Sequence, residues 1–338
     1  MAHLSKVLEA NRSNLDHCAQ LLRNGDVVGM PTETVYGLAG NALDLNSVRK
    51  IFEVKGRPLI DPLIVHFSNL EAAEPHIESN DCVRRLAEAF WPGPLTMVVP
   101  KKNSIADIVT AGLPSVAIRV PRHPVFRQIL ERIDFPLAAP SANPFGYVSP
   151  TLAKHVQQTL GSRIKAILDG GPSELGLEST IIDLRNPEQP VILRHGPITE
   201  SQISEVLQMQ LTRHVDQANN EAAQSAPGLL TKHYSPKAKV RLLPHGDTRP
   251  RSEHTEPNAS TTLVLNQKPS WYTTQHNIFW LSESGDLSEI AHNLFELIQR
   301  LDQQDVQQIL IEQAPEQGIG QAINDRLRRA AAKLEAID

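Results

Sequence analysis

From Ser13 to Leu207 short β-rich runs alternate with helical periods, and no polar stretch long enough to be a linker breaks them. That alternation confines the region to one mixed α/β domain. Ser13 and Gly25 bracket a helix carrying Leu15, Ala19 and Leu22, and DVVGM then reads as a strand entering Pro31. Asn46 is placed to cap a helix with Val48, Ile51, Phe52 and Lys55 at i, i+3, i+4 and i+7, which Gly56 and Pro58 end. Further helices are expected around Val83 to Phe90, Val125 to Leu130 and Ala153 to Leu160, with LIVHF, LTMVV, VAIRV, AILD and STIIDL as strands between them. From Met209 to Ala226 the chain turns polar and loses its aromatics, which is how a linker looks. Beyond it KVRLL, TLVLN, NIFWL and VQQILIE accompany a helix from Leu287 to Leu301 and another after Gly320, making a small βα-alternating domain. The Pro/Ser/charge-rich GDTRPRSEHTEPNAS within it reads as a surface loop. The expected organisation is therefore residues 1–208, a linker over 209–237 and a smaller domain over 238–338.

Composition narrows the function classes. At 338 residues the chain has room for two cores of about 150 residues each. Lys and Arg total 33 against 38 Asp and Glu, a net charge of −5, so any anion-gripping site must be local. Cys18 and Cys82 are far apart with no C-x-x-C, which leaves no disulfide framework or cysteine zinc site and points to a reducing compartment, the cytoplasm. No apolar run approaches the roughly 18 residues of a membrane span. There is no G-x-x-x-x-G-K-[ST], no H-E-x-x-H and no G-x-S-x-G, and the 13 His are scattered, so neither a Walker loop nor a dedicated metal cage is expected. GIGQAI at Gly318 lacks the third glycine of a dinucleotide fingerprint and reads as a strand-to-helix turn.

Several segments carry chemistry. PTETVYGLAG gathers Thr32, Glu33 and Thr34 at a strand exit, with Gly37 and Gly40 able to let backbone approach a ligand; a plain turn feeding a helix would look the same. In RKIFEVKGRP, Lys50, Lys55 and Arg57 surround a helix C-terminus, where cations favour the dipole. Lys55, however, falls on the apolar stripe, where an ammonium needs an anion. Period-2 counting sets Arg119 opposite Val116, Ile118 and Val120, and His66 opposite Leu63, Val65 and Phe67; both positions are compatible with solvent. APSANPFGYVSP contributes Ser141, Asn143 and Ser149, and DGGPSELGLEST contributes Ser179 and Thr180; Ser149-Pro150 alone reads as a helix cap and first-turn proline. Hydroxyl-rich turns with Lys55, Arg57, Arg119 and Arg194, and no evident nucleophile, make the inventory of a polyanion pocket that works by positioning and charge stabilisation.

PTETVYGLAG, KGRP followed by PLIVHF, WPGPLT, AIRVPRHP, APSANPFG and LEST, in that order, resemble the threonylcarbamoyl-AMP synthase family. APGLLTKHYSPKAKV and the late G-x-G-x-A-I-x-D-R-L-x-R-A-A stretch resemble its long form, so nearly the whole chain is covered. The resemblance implies a twisted mixed-sheet catalytic domain with a large concave cavity, joined to a smaller Rossmann-like domain. It implies synthesis of L-threonylcarbamoyl-AMP from L-threonine, bicarbonate and ATP, with Mg²⁺ accompanying the nucleotide and release of pyrophosphate. The product would feed modification of the adenosine next to the tRNA anticodon, making tRNA or a downstream transferase complex the implied partner. Thr34, His66, Arg119 and Ser179 match the threonine and carboxylate pocket, with Arg119 on the amino-acid carboxylate. Lys55, Arg57, Ser141, Asn143, Ser149, Arg194, Ser115 and Lys50 match the phosphate and nucleotide side, and Tyr234 of HYSP matches a residue that reaches over the nucleotide. Asp61 stands where the family has a neutral asparagine near the phosphates, leaving open a Mg²⁺ or ribose contact; Ala139 stands where some relatives have threonine. Two rival readings remain. One is a non-catalytic double-stranded RNA or tRNA binding module; the other is the carbamoyl transfer of hydrogenase maturation, whose fused zinc-finger region this chain lacks.

Overall fold

The computed structural model describes residues 5–213, 223–228, 234–246, 261–272 and 277–332. Parts of the expected linker (214–222, 229–233) and most of the Pro/Ser-rich loop (247–260) lie outside the described residues. The chain divides into two compact units, one of Met1–Phe145, Ser149–Glu174 and Glu178–Leu230, the other of Gly146–Val148, Leu175–Leu177 and Thr231–Asp338.

In the first unit, α1 (Arg12–Arg23) buries Leu15, Cys18, Ala19 and Leu22 along one stripe. Its cap is Asn11, whose side chain accepts from the Asn14 amide, so Ser13 is already inside the helix. In α2 (Leu45–Lys55) the cap is Asp44 rather than Asn46: Asp44 is extended and accepts from the amides of Asn46 and Ser47. Gly56, at φ 63°, ends this helix as expected. The other helices are α3 (Leu70–Ala73), α4 (Asp81–Phe90), α5 (Pro124–Leu130), α6 (Ala153–Leu160) and α7 (Glu200–Leu207). No side chain caps α6, which starts three residues after Pro150; the cap reading of Ser149 fails because its hydroxyl instead donates to Glu178.

The strands are β1 (Lys6–Glu9), β2 (Val28–Met30), β3 (Gly37–Asn41), β4 (Ile64–His66), β5 (Leu95–Pro100), β6 (Ser115–Arg119), β7 (Leu137–Ala138), β8 (Ala166–Asp169), β9 (Thr180–Asp183), β10 (Val191–Arg194) and β11 (Thr212–Arg213). They form one mixed sheet in the order β1-β8-β2-β3-β7-β4-β6-β5-β9-β10-β11. PTETVYGLAG does not feed a helix: it turns at Thr32 and returns as β3, antiparallel to β2. The Thr32 hydroxyl accepts from the Thr34 and Val35 amides and pins that turn. Gly40 of β3 has a packing role, since a Cβ on it would stand 2.6 Å from the Ser47 hydroxyl. β6 is buried throughout: Val116 and Ile118 join the main core, while Ala117 joins a second cluster with Ile64, Val98, Ile181, Leu193 and Ala226. Ala226, assigned to the linker by its polar surroundings, is thus a fully buried core residue.

The second unit holds β12 (Lys239–Leu243), β13 (Thr261–Gln267), β14 (Ile278–Ser282) and β15 (Gln308–Glu312), all parallel, in the order β12-β15-β13-β14. Helices α8 (Leu287–Gln303) and α9 (Gly320–Ala331) complete it.

After β10, Gly196 lies against the backbone of β9. An added Cβ would fall 2.3 Å from the Thr180 amide nitrogen and 2.7 Å from the Ser179 carbonyl carbon, neither of which can rotate away. Gly196→Ala should therefore cost about 3 kcal/mol, the upper end of overpacking penalties, read as a lowered thermal midpoint. An unchanged midpoint would show that the Ser179–Thr180 backbone can shift freely.

Candidate active site

β4 and β6 run parallel with His66 opposite Arg119, so the two polar side chains that end these strands are neighbours. Both are buried, not solvent-facing: His66 packs on Phe126 of α5, and Arg119 lies under the loops that carry Glu33, Thr34 and Gly93. Three contacts fix the Arg119 guanidinium: Nε donates to the Gly93 carbonyl (3.2 Å), Nη1 to the Thr34 hydroxyl (3.0 Å), and Nη2 pairs with Glu33 (2.8 Å). Thr34 in turn shares a 2.8 Å hydrogen bond with Thr32. Burial works to raise the Glu33 carboxyl, but the charge and hydrogen bond of Arg119 outweigh it and hold it below its ordinary range. His66 packs on Phe126, with ring centroids 5.2 Å apart. Burial, helped by the Arg119 charge, depresses its imidazole to about 3, so at neutral pH it is an uncharged hydrogen-bonding group.

A second set surrounds the end of α2. Lys55, on the helix's buried stripe, donates to the carbonyls of Ser141 (2.5 Å) and Asn143 (2.6 Å) and has no carboxylate within ion-pair distance among the described residues. Burial, and then the charge of Arg57, hold its ammonium well below the usual lysine range. Arg57 donates to the carbonyls of Asp61 (2.9 Å) and Pro62 (2.6 Å) and pairs with the Asp61 carboxylate at 3.0 Å, both side chains almost wholly buried. Burial pushes Asp61 up, a rise that Arg57 and Lys55 only partly offset. Arg194, ending β10, spreads its guanidinium over the Ser179 carbonyl (3.1 and 3.0 Å), the Ser179 hydroxyl (3.1 Å) and the Pro227 carbonyl (3.1 Å). Ser115, at the start of β6, is also buried.

The fold thus joins Thr34, His66 and Arg119, joins Lys55 with the segment holding Ser141 and Asn143, pairs Arg57 with Asp61, and pairs Arg194 with Ser179. Lys50 stands apart: it is on another face of α2, in a partly exposed network with Asp26 and Lys165. Tyr234 belongs to the second unit, buried at φ 64°, stacked on Phe295 at 5.6 Å with Arg326 5.5 Å from its ring. Sequence reasoning did not assign Thr96, whose hydroxyl lies 2.8 Å from that of Ser179, Glu178, which receives Ser149, or Glu33 as the Arg119 partner. All lie inside the quoted motifs, where runs of polar residues at strand ends were the available signal.

Among the described residues no group of three or more His, Cys, Asp or Glu is arranged to hold a metal ion. Glu33 and Asp61 are ion-paired to arginines, and Glu178 accepts from the Ser149 hydroxyl. The donor set suits an anion: two arginines, a third at the end of β10 and Lys55, which is held by two neutral carbonyls, gather in this unit.

Removing Glu33 strands the Arg119 charge, so Glu33→Ala should lower stability by about 3–5 kcal/mol in urea unfolding. His66 predicts a pH dependence. Between its ordinary 6.5 and about 3 the unfolded chain binds a proton that the folded chain refuses, so its contribution falls as pH drops through that window. The slope should reach about 1.4 kcal/mol per pH unit and flatten in His66→Gln; equal slopes for the two proteins would mean that His66 is protonated in place.

Residues 20–196 match the Sua5/YciO/YrdC family model, described as "Telomere recombination", and residues 198–332 match the model described as "Threonylcarbamoyl-AMP synthase, C-terminal domain". The chain is 38% identical over 320 residues to the threonylcarbamoyl-AMP synthase of Pyrococcus abyssi, covering 93% of this chain and 92% of that protein. It is 35% identical to the Bacillus subtilis protein of the same name, covering 96% and 94%. Its fold matches the crystal structure of P. abyssi Sua5 complexed with L-threonine at a TM-score of 0.87 and 35% identity, over 97% of this chain and 98% of the other. The chain belongs to the Sua5/YciO/YrdC family, in the two-domain form that carries the threonylcarbamoyl-AMP synthase C-terminal domain.

Proposed function

We propose that this protein is a nucleotidyltransferase that makes L-threonylcarbamoyl-AMP from L-threonine, bicarbonate and ATP and releases pyrophosphate, for threonylcarbamoyl modification of tRNA. The observation that carries this reading is the placement of Arg119, with Thr34 and neutral His66 beside it, in the same sheet unit as the buried cations Lys55, Arg57 and Arg194. The relatives named threonylcarbamoyl-AMP synthase, and the P. abyssi structure with L-threonine, support it.

In this reading Arg119 clamps the threonine carboxylate, with Thr34, His66 and Ser179 around the amino acid and its bound carboxyl group. Condensation of the threonine amine with bicarbonate gives a carbamate and water. A carbamate oxygen then attacks the α-phosphorus of ATP, forming the new P–O bond as the bond to the bridging oxygen breaks and pyrophosphate leaves with its electron pair. The substrate brings its own nucleophile, so the protein aligns the reactants and neutralises charge. Lys55 and Arg57 face the phosphates. Asp61, Ser115, Ser141, Asn143, Ser149 and Arg194 form the nucleotide side; Lys50, which the resemblance would add, is engaged by Asp26 on another face of α2. Mg²⁺ enters with ATP as part of that substrate, and Glu33 and Asp61 stay with their arginines. Residues 1–208 carry the chemistry, and 209–237 with Tyr234 act as a lid that keeps water from the labile anhydride. A cytoplasmic setting belongs to this reading; among the described residues no helix is long and apolar enough to cross a membrane.

Pyrophosphate release from ATP should require both threonine and bicarbonate and proceed without RNA. Arg57→Ala or Lys55→Ala should reduce it by about 10²-fold or more with the fold intact. Release that needs neither co-substrate would sink the synthase reading, and RNA binding that weakens steeply with salt, with no release, would favour the RNA-binding module. Tyr234→Ala should raise the ATP consumed per product formed; an unchanged ratio removes the lid.

A further inference from the structure

We propose that the second unit has a binding site of its own for a nucleobase-bearing small molecule, at the carboxyl ends of its parallel strands, where Asn266 and Trp271 contact the base. A cavity of about 410 Å³ opens there, within the roughly 300–1,000 Å³ typical of small-ligand sites. Its lining includes His245 after β12, Asn266 near the end of β13 and Trp271 in the segment after it, Gly285 after β14 and Glu312 at the end of β15. Every strand of the sheet therefore contributes to it. After β14 the chain reverses and lays β15 between β12 and β13, and such an open parallel sheet offers its crevice at the carboxyl ends of the strands.

The site is built without a ligand. Glu312, 3% exposed, accepts from the Gly246 amide (2.8 Å) and the Asn266 amide (2.9 Å), and His245 lies 3.2 Å from it. One carboxylate thus ties the ends of β12, β13 and β15 together. Asn266, 4% exposed, donates its side-chain nitrogen to the Gln313 carbonyl at 2.8 Å. That bond sets the amide orientation, because the flipped group would press two acceptors together. Its Oδ1 is left buried without a donor among the described residues, and so is the Trp271 Nε1 hydrogen without an acceptor. Each unmet group carries a desolvation cost of about 1–3 kcal/mol that a suitable ligand would remove.

Asn266 and Trp271 both line this cavity, and the acceptor and the donor they leave unmet point to the chemistry of a partner. It is a flat molecule with a hydrogen-bond donor next to an acceptor on its edge, which is the amino group beside a ring nitrogen of a nucleobase. The Lys268 ammonium belongs to a residue of the cavity wall; it lies 4.9 Å from the Trp280 ring and pairs with the exposed Glu283 carboxylate at 3.4 Å, a solvent-exposed pair that an anionic substituent such as a phosphate would compete with. No residue assigned to the synthase chemistry takes part, so this inference stands independently of that reading.

Equilibrium dialysis of AMP against the full chain tests it. The wild type should bind AMP in the second unit, and Asn266→Ala and Trp271→Phe should each weaken that binding about tenfold or more, while pyrophosphate release stays unchanged at saturating substrates. Trp271→Phe decides the matter should Asn266→Ala fail to fold. No AMP binding at millimolar concentration, or binding of equal strength and stoichiometry in wild type and both variants, would overturn the proposal.

Discussion

Burial of the Arg119 charge is the constraint on which the first unit is organised. A guanidinium moved out of water costs several kcal/mol unless it is paired and its hydrogens are spent. Here the Glu33 carboxylate, the Thr34 hydroxyl and the Gly93 carbonyl meet that cost from two separate loops. Those loops are consequently fixed to the end of β6, and the Thr32 turn holds Glu33 and Thr34 in register. The same arrangement recurs at Lys55, which fixes the segment after β7, and at Arg194, which fixes Ser179 and the backbone at Pro227. Site geometry and loop stability are therefore one energetic quantity: the polar groups that would bind an anionic substrate also hold the strand ends in place.

The amphipathic helices were legible in the sequence because their apolar period is long and regular. Leu15, Ala19 and Leu22 in α1, and Val48, Ile51, Phe52 and Lys55 in α2, are all buried as that period requires. Helix starts were less legible, since DLNS offers several residues able to cap and only backbone geometry selects Asp44. β3 was hidden because GLAGN lacks the β-branched residues that mark strands. Its glycines answer to the neighbouring Ser47 and Ala139 side chains, which only the tertiary fold brings near.

For the site, residue types were readable and pairings were not. Period-2 counting sets Arg119 and His66 opposite the apolar residues of their strands, but a strand covered on both faces buries polar and apolar positions alike. Glu33 and Arg119, or Ser149 and Glu178, are far apart in the chain, and local pattern carries no signal for such contacts. The buried position of Lys55 was readable because an ammonium on an apolar helix stripe is costly enough to demand an explanation.

Strand order has a consequence for how the chain is made. β1, near the N-terminus, pairs with β8 through Lys6↔Ala166, and β5 is flanked by β6 and the later β9. On a ribosome, β1 emerges long before its neighbour exists, and the first half of the sheet must wait with open edges for β8 and β9. β1 suits that wait: it is four residues long, with Lys6 and Glu9 exposed, a weak template for pairing with another nascent chain. Among the described residues the sheet's other edge is β11, Thr212–Arg213. Sparing use of edge strands lets a sheet of such long-range pairing be assembled from one end of the chain to the other.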